Sequence, residues 1–154
     1  MIKNKQFLSR VLPSKKDVGR FGELAACHFL RRKGHKIVAQ NVNVKVGEID
    51  ILSERDCVIH FIEVKSVFGD ENRELKVFAE EHLDRKKLIK LNKTATAYLS
   101  THPDLHEREF SIDAILVNIY KKEENREDSE AKTKLFPKNI SRVALKYLEN
   151  VGIY

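Results

Sequence analysis

The chain has 154 residues, 42% of them hydrophobic and 34% charged, with 29 Lys and Arg against 23 Asp and Glu for a net charge of +6. That length supports one hydrophobic core and excludes two comfortable domains, and the composition excludes a disordered chain. The longest apolar runs, VIHFIEV and AILVNIY, fall far short of the roughly 20 residues that a membrane-spanning helix needs, and the start, MIKNKQFLSRVLPSKK, lacks the apolar stretch and cleavage site of a signal peptide, so a cytoplasmic protein is expected.

Residues 2 to 12 place Ile2, Phe7, Leu8, Val11 and Leu12 at amphipathic spacing, and Pro13 stops the pattern, which predicts a short helix in an N-terminal extension over residues 1–17. SKKD from Ser14 resembles a capping box, and Val18, Phe21, Ala25 and Phe29 then recur at three- and four-residue intervals up to Gly34, predicting a first full helix. The stretch from His35 to Ser66 is rich in β-branched residues and broken at KVGE and SERD, which predicts three antiparallel strands in a meander. FGDENRELKVFAEEHLD is loop-like, with room for a short element at LKVFA. Asp84 can cap a second helix from Arg85 to Leu99, with Leu88, Leu91, Ala95, Tyr98 and Leu99 inward. EFSIDAILVNIY is apolar on both faces and predicts a central strand. KKEENREDSEAKTK reads as a charged linker over 121–134, and ISRVALKYLEN predicts a short closing helix in the C-terminal segment 135–154. The order is that of an α+β domain over 18–120, with helices packed on one mixed sheet.

Charge is unevenly placed. Residues 1 to 36 hold ten Lys and Arg against two acids, and residues 37 to 120 hold eleven against fifteen. A basic lobe beside an acidic centre suits a protein that attracts a polyanion to a site which itself takes cations; a merely solvated surface is the competing reading. The two cysteines, Cys27 and Cys57, lack metal-ligand spacing and are expected to be reduced packing residues.

In HFIEVKS, Glu63 and Lys65 point to the same face of a strand, because side chains alternate with a period of two. Asp50 lies on the preceding strand among Ile49, Ile51 and Leu52, and a turn near residues 54 to 57 puts it opposite roughly residues 61 to 63. Two carboxylates forced together need a proton or a cation, and hard oxygen ligands suit Mg²⁺ or Mn²⁺. A buried ion pair is the competing reading, but two acids and one base leave an excess negative charge. His60 faces away from Glu63 by strand parity, which argues against it as a base, and His82 has little to support such a role.

The words D50 with E63-V64-K65 resemble the Asp and Glu-x-Lys core of PD-(D/E)xK nucleases. Together with GRFGELAACHFLRRKGHKIVAQN, VGEIDIL, VIHFIEVKS, KLIKLNKTATAYL and FSIDAILV, they resemble the YraN-like family of small bacterial proteins, grouped with endonuclease folds related to Holliday-junction resolvases, over approximately residues 18 to 118. The resemblance implies a restriction-endonuclease-like sandwich and a metal-dependent endonuclease acting on DNA, with branched DNA as one candidate substrate. It implies Asp50, Glu63 and Glu23 as metal-binding acids, Lys65 as the catalytic lysine, and Arg20, Lys86 and Lys87 as phosphate contacts. A surface Glu on the first helix is the competing reading for Glu23, and solvated cations for the three basic residues. The resemblance also allows a homodimer. Asp113 matches a family position, but its apolar neighbours predict a buried hydrogen-bonding role; Glu48 is either a group supporting Asp50 or part of a salt bridge at the turn. The chain departs from the family at Val67, where a basic residue is usual, and in a longer stretch from Gly69 to Lys87. The alternative to an enzyme is a nucleic-acid-binding module, or a partner in a DNA-processing complex, that keeps the nuclease fold.

Overall fold

The computed structural model describes residues 14–69, 84–121 and 140–152. The expected N-terminal helix over 2–12, the element at LKVFA, His82 and nearly all of the charged linker lie outside the described residues.

Helix α1 (Lys15–Arg32) begins where the sequence predicts. The Ser14 hydroxyl accepts from the Asp17 N–H at 3.2 Å, and the Asp17 carboxylate accepts from the Ser14 N–H at 3.3 Å, so two of the helix's orphan donors are satisfied reciprocally. Gly34, at φ 86°, turns the chain away from the helix in a conformation that favours glycine. Strands β1 (Lys36–Val44), β2 (Gly47–Arg55) and β3 (Val58–Gly69) form the antiparallel meander. Helix α2 (Arg85–Ser100) starts at Asp84, whose carboxylate accepts from the Lys86 N–H at 2.9 Å. Strand β4 (Phe110–Lys121) then pairs parallel to β3, giving one mixed five-stranded sheet in the order β1-β2-β3-β4-β5. The fold is α+β.

The last element corrects the expectation of a closing helix: Ile140–Leu148 is strand β5, antiparallel to β4. Val143, Leu145 and Tyr147 recur with a period of two and pack on the core, while Arg142 and Lys146 are exposed, which is a strand pattern rather than a helical one. The second correction concerns Cys57. Cys27 is buried in α1 as expected, but Cys57 is exposed, because Asp56 and Cys57 form the two-residue hairpin turn at φ 51° and 66°, the left-handed pair that fits the twist of flanking strands. The turn thus follows SER instead of occupying it, and Ser53 is buried in β2.

The core is in two layers. On one face of the sheet, Ala26, Cys27 and Leu30 of α1 pack on Ile51, Ile62, Val64, Ile115, Val117 and Ile119; on the other, Leu88, Leu91, Ala95 and Leu99 of α2 pack on Ile49, Leu52, Ile59, Phe61 and Ile112. Gly22 is where α1 comes closest to the sheet: a Cβ there would overlap Ser66 Oγ and stand 2.7 Å from Ser66 Cβ on β3. Rotating the Ser66 hydroxyl does not relieve the second contact, so the helix itself must move. Gly22→Ala is expected to cost about 1–3 kcal/mol through overpacking, measured by urea unfolding; a cost under ~0.5 kcal/mol would mean that the helix has slack at this point.

A polar network sits on the α1 face of the sheet. Asp113, fully buried, accepts hydrogen bonds from His60 Nδ1 at 2.6 Å, Ser111 Oγ at 2.5 Å, Tyr147 Oη at 2.6 Å and the Asn150 N–H at 2.9 Å. Burial alone would raise its pKa, but these donors outweigh it and hold the carboxyl below the usual range. Arg55 can only donate, so His35 Nε2 must accept from it at 3.0 Å and His35 Nδ1–H donates to Ser53 Oγ at 2.9 Å. His35 is therefore neutral; burial, the adjacent His60 and Arg55 together push its pKa down to about 4. Arg55 also holds Glu149 beyond β5 at 3.1 Å. The expected buried role of Asp113 is what the structure shows, and His60 points away from Glu63 as parity requires.

Candidate active site at the parting of β2 and β3

Strict alternation fails in the middle of β1 and β2, and the acids gather there. In β1, Ala39, Val42 and Val44 all pack on the α2 layer, and in β2 so do Ile49 and Leu52, although a regular strand would send odd and even positions to opposite faces. Between them, Asn41 adopts φ 52°, a left-handed conformation that Asn tolerates better than most side chains. The ladder pairs Gln40 with Ile51 and Val42 with Ile49, which brackets Asn41 opposite Asp50. Pairing of β2 with β3 runs from Arg55↔Val58 to Ile51↔Ile62. Beyond it, the Val64 N–H donates to the Asp50 carboxylate at 2.7 Å in place of a ladder bond.

Asp50 and Glu63 therefore face each other where the two strands part, as their register predicts. Lys65 Nζ lies 2.6 Å from Glu63 Oε1, with side-chain exposures of 19% and 14%. Burial, then the charge of Glu63, then that of Glu23 push the Asp50 pKa up to about 7, against the opposing effects of the Val64 hydrogen bond and Lys65. Burial works against charge on Lys65, but its hydrogen bonds to Glu63 and to the Lys87 amine outweigh this and hold its pKa above the usual value. Lys87 is lowered by that same hydrogen bond and by the Lys65 charge, because two amines in contact disfavour a charge on both. The first turn of α2 is thereby brought against the acids.

The sign of the Asp50 shift makes a prediction. Its folded pKa is raised above the ordinary value of 3.8, so the folded chain holds a proton that the unfolded chain releases between about pH 4 and 7. Stability falls across that window, and a shift of this size is worth about 4 kcal/mol at its upper limit. Asp50→Asn should therefore stabilise the metal-free protein at pH 8 and leave it nearly unchanged at pH 4, as read by urea unfolding with a chelator present. Equal effects at both pH values would contradict the facing-acid geometry.

The remaining expected site residues are distributed as follows. Glu23, half-buried in α1 next to Gly22, accepts from Asn41 Nδ2 at 3.1 Å. It stands close enough to bear on the charge of Asp50, but among the described residues no three His, Cys, Asp or Glu side chains gather closely enough to hold an ion on their own. Arg20 and Lys86 are exposed, on α1 and at the start of α2, and no ion pair among the described residues joins them to the acids. Glu48 is exposed on β2. Asn41 escaped the sequence reading: it stands in the quoted VAQN, but nothing in a polar residue on an edge strand announces a left-handed backbone.

The donor set suits a hard divalent cation in one definite respect. Two carboxylates face each other with Lys65 paired to Glu63, and Asp50 is raised by burial and by the charge of Glu63. Asp50 and Glu63 would supply two oxygens, leaving the other positions to backbone oxygens and water, as Mg²⁺ prefers. No helix among the described residues is long and apolar enough to cross a membrane.

The sequence profile of Uncharacterised protein family UPF0102 matches residues 22–117, a span that includes Glu23, Asn41, Asp50, Glu63, Lys65, Lys87 and Asp113. A UPF0102 protein of Campylobacter jejuni subsp. doylei is 45% identical over 80 residues, which is 52% of this chain and 66% of that protein. One from Cytophaga hutchinsonii is 41% identical over 80 residues, 52% and 67% of the respective chains, and one from Campylobacter lari 38% over 96 residues, 62% and 79%. The match thus spans just under two thirds of the Campylobacter jejuni relative. With the profile covering more than half of its length, the chain belongs to the uncharacterised protein family UPF0102.

Proposed function

We propose that the protein is a metal-dependent endonuclease that hydrolyses phosphodiester bonds of DNA in the cytoplasm. The observation that carries this reading is the facing pair Asp50 and Glu63 with Lys65 on Glu63, placed where β2 and β3 part. Asp50 and Glu63 would hold the cation, and Mg²⁺ or Mn²⁺ bound there would supply Lewis acidity toward the phosphoryl oxygens and toward the attacking water. Lys65 then stabilises the negative charge that builds on phosphorus as water adds and the bond to one sugar oxygen breaks. The basic start of α2 supports an anionic substrate. Arg85, Lys86 and Lys87 occupy a first turn with no acid in it, so three cations stand at the end of the helix whose dipole disfavours them. That arrangement is unfavourable alone and favourable against phosphate, to which Lys86, Lys87 and Arg20 would bind without reading sequence.

The experiment is cleavage of labelled four-way-junction, single-stranded and duplex DNA by the full chain, in Mg²⁺, Mn²⁺ or chelator. Product that requires metal, with one DNA form preferred, is the expected result. Folded protein that binds DNA and yields no product from any form would replace the reading with a non-catalytic module of a DNA-processing complex.

A further inference from the structure

Asn41 belongs to no element of the chemistry described above, yet its geometry is the least ordinary in the sheet. It lies in an edge strand, where extended backbone costs nothing, and instead takes φ 52°. The left-handed turn has two visible consequences. It breaks the alternation of β1, so that Ala39 and Val42 can both pack on the α2 layer, and it leaves the Asn41 amide free to cross to α1, where Nδ2 donates to Glu23 Oε2 at 3.1 Å. The carbonyl of Asn41 is itself held by Asn43 Nδ2 at 3.5 Å. Glu23 is carried to this point by Gly22, whose missing Cβ lets α1 sit directly on Ser66 of β3. Only one oxygen of Glu23 is engaged: Oε1 makes no hydrogen bond among the described residues. Across the β1–β2 ladder from Asn41 is Asp50. A helix on one face and an acid at the parting of two strands are thus joined through one residue.

We propose that Asn41 is the positioning residue for Glu23, fixing one carboxylate oxygen so that the other serves the hydration shell of a cation held by Asp50 and Glu63. This rests on the proposed metal-dependent reading. Asn41 does not touch the reacting atoms; it acts through Glu23, as outer partners of metal sites do when they orient a carboxylate. A residue that only shaped β1 would affect folding, whereas a residue acting through Glu23 must lose its effect once Glu23 is disabled.

The test is titration calorimetry of Mn²⁺ into the full chain as wild type, Asn41→Gly, Glu23→Gln and the double variant, with melting curves to confirm folding. Glycine keeps the left-handed backbone accessible and removes the side chain that carries the amide. Each single variant is expected to weaken Mn²⁺ binding by roughly 10-fold, at the low end of what loss of such outer partners costs, and the double variant should be no weaker than either single one. Asn41→Ala, which also removes the amide and leaves the charge of the site unchanged, should weaken binding as much, and it decides the matter if the glycine variant does not fold. Wild-type affinity in Asn41→Gly or Asn41→Ala, or a double variant whose loss is the product of the two single losses, overturns the positioning role while leaving the metal site intact. Folded wild-type protein that takes up no Mn²⁺ at all overturns both together, so the two failures are distinguishable.

Discussion

Lys65→Met is expected to lower metal-dependent cleavage of the preferred DNA by about 100-fold or more, the effect of removing one preorganised charge from a developing anion, while Mn²⁺ binding is retained or tightened. The split follows from the geometry. Lys65 Nζ is 2.6 Å from Glu63 Oε1 and competes with any cation for that oxygen, so its removal frees a ligand and takes away a catalytic charge at the same time. Methionine preserves most of the apolar stem, which limits the change in packing. Initial rates and Mn²⁺ titrations on the same preparations check both halves. Wild-type cleavage by the variant would remove Lys65 from the chemistry; loss of Mn²⁺ binding with the fold intact would make it a structural prop for Glu63.

The second large effect is on stability. Asp113→Ala leaves His60 Nδ1, Ser111 Oγ, Tyr147 Oη and the Asn150 N–H without their shared acceptor inside the protein. Breaking a buried charged network by removing one partner costs about 3–5 kcal/mol, a large share of the 5–15 kcal/mol that holds a typical domain together. Tyr147 and Asn150 tie β5 and the residues after it to the sheet, so β5 should loosen first. Urea unfolding gives the magnitude, and hydrogen exchange at Val143 and Leu145 locates the loosening. A variant within ~0.5 kcal/mol of wild type, with β5 still protected, would show that apolar packing alone holds that strand.

Much of this molecule is legible in its sequence because local rules and tertiary packing agree. Ser14 with Asp17, and Asp84 before Arg85, announce both helix starts, and the structure has caps at those positions. The meander follows from β-branched residues and turn signals, and the facing of Asp50 and Glu63 follows from hairpin arithmetic. The sequence suggests a closing helix because Val143, Ala144, Tyr147 and Leu148 also satisfy a helical spacing over so short a span; a free edge on β4 decides between the two periods, and that edge is not visible from nine residues. The exposure of Cys57 is hidden for a related reason. A left-handed pair at Asp56 and Cys57 carries none of the Asn-Gly or Gly signals by which such turns are recognised. Asn41 and the network around Asp113 depend on residues from several elements meeting, with His35, His60, Asp113 and Tyr147 spread over more than 110 positions, and no single stretch contains them.

The central claim is that Asp50 and Glu63 form a cation site, and titration of Mn²⁺ into wild type and Asp50→Asn at pH 6 and pH 8 tests it most directly. Because Asp50 is raised to about 7, binding must displace its proton, so wild type should take up one ion per chain, more tightly at pH 8 than at pH 6 and with proton release at the lower pH. Asp50→Asn should bind far more weakly and with little dependence on pH over that range. Folded wild-type protein that takes up no Mn²⁺ at millimolar concentration, or an Asp50→Asn variant that binds as wild type does, would contradict the account.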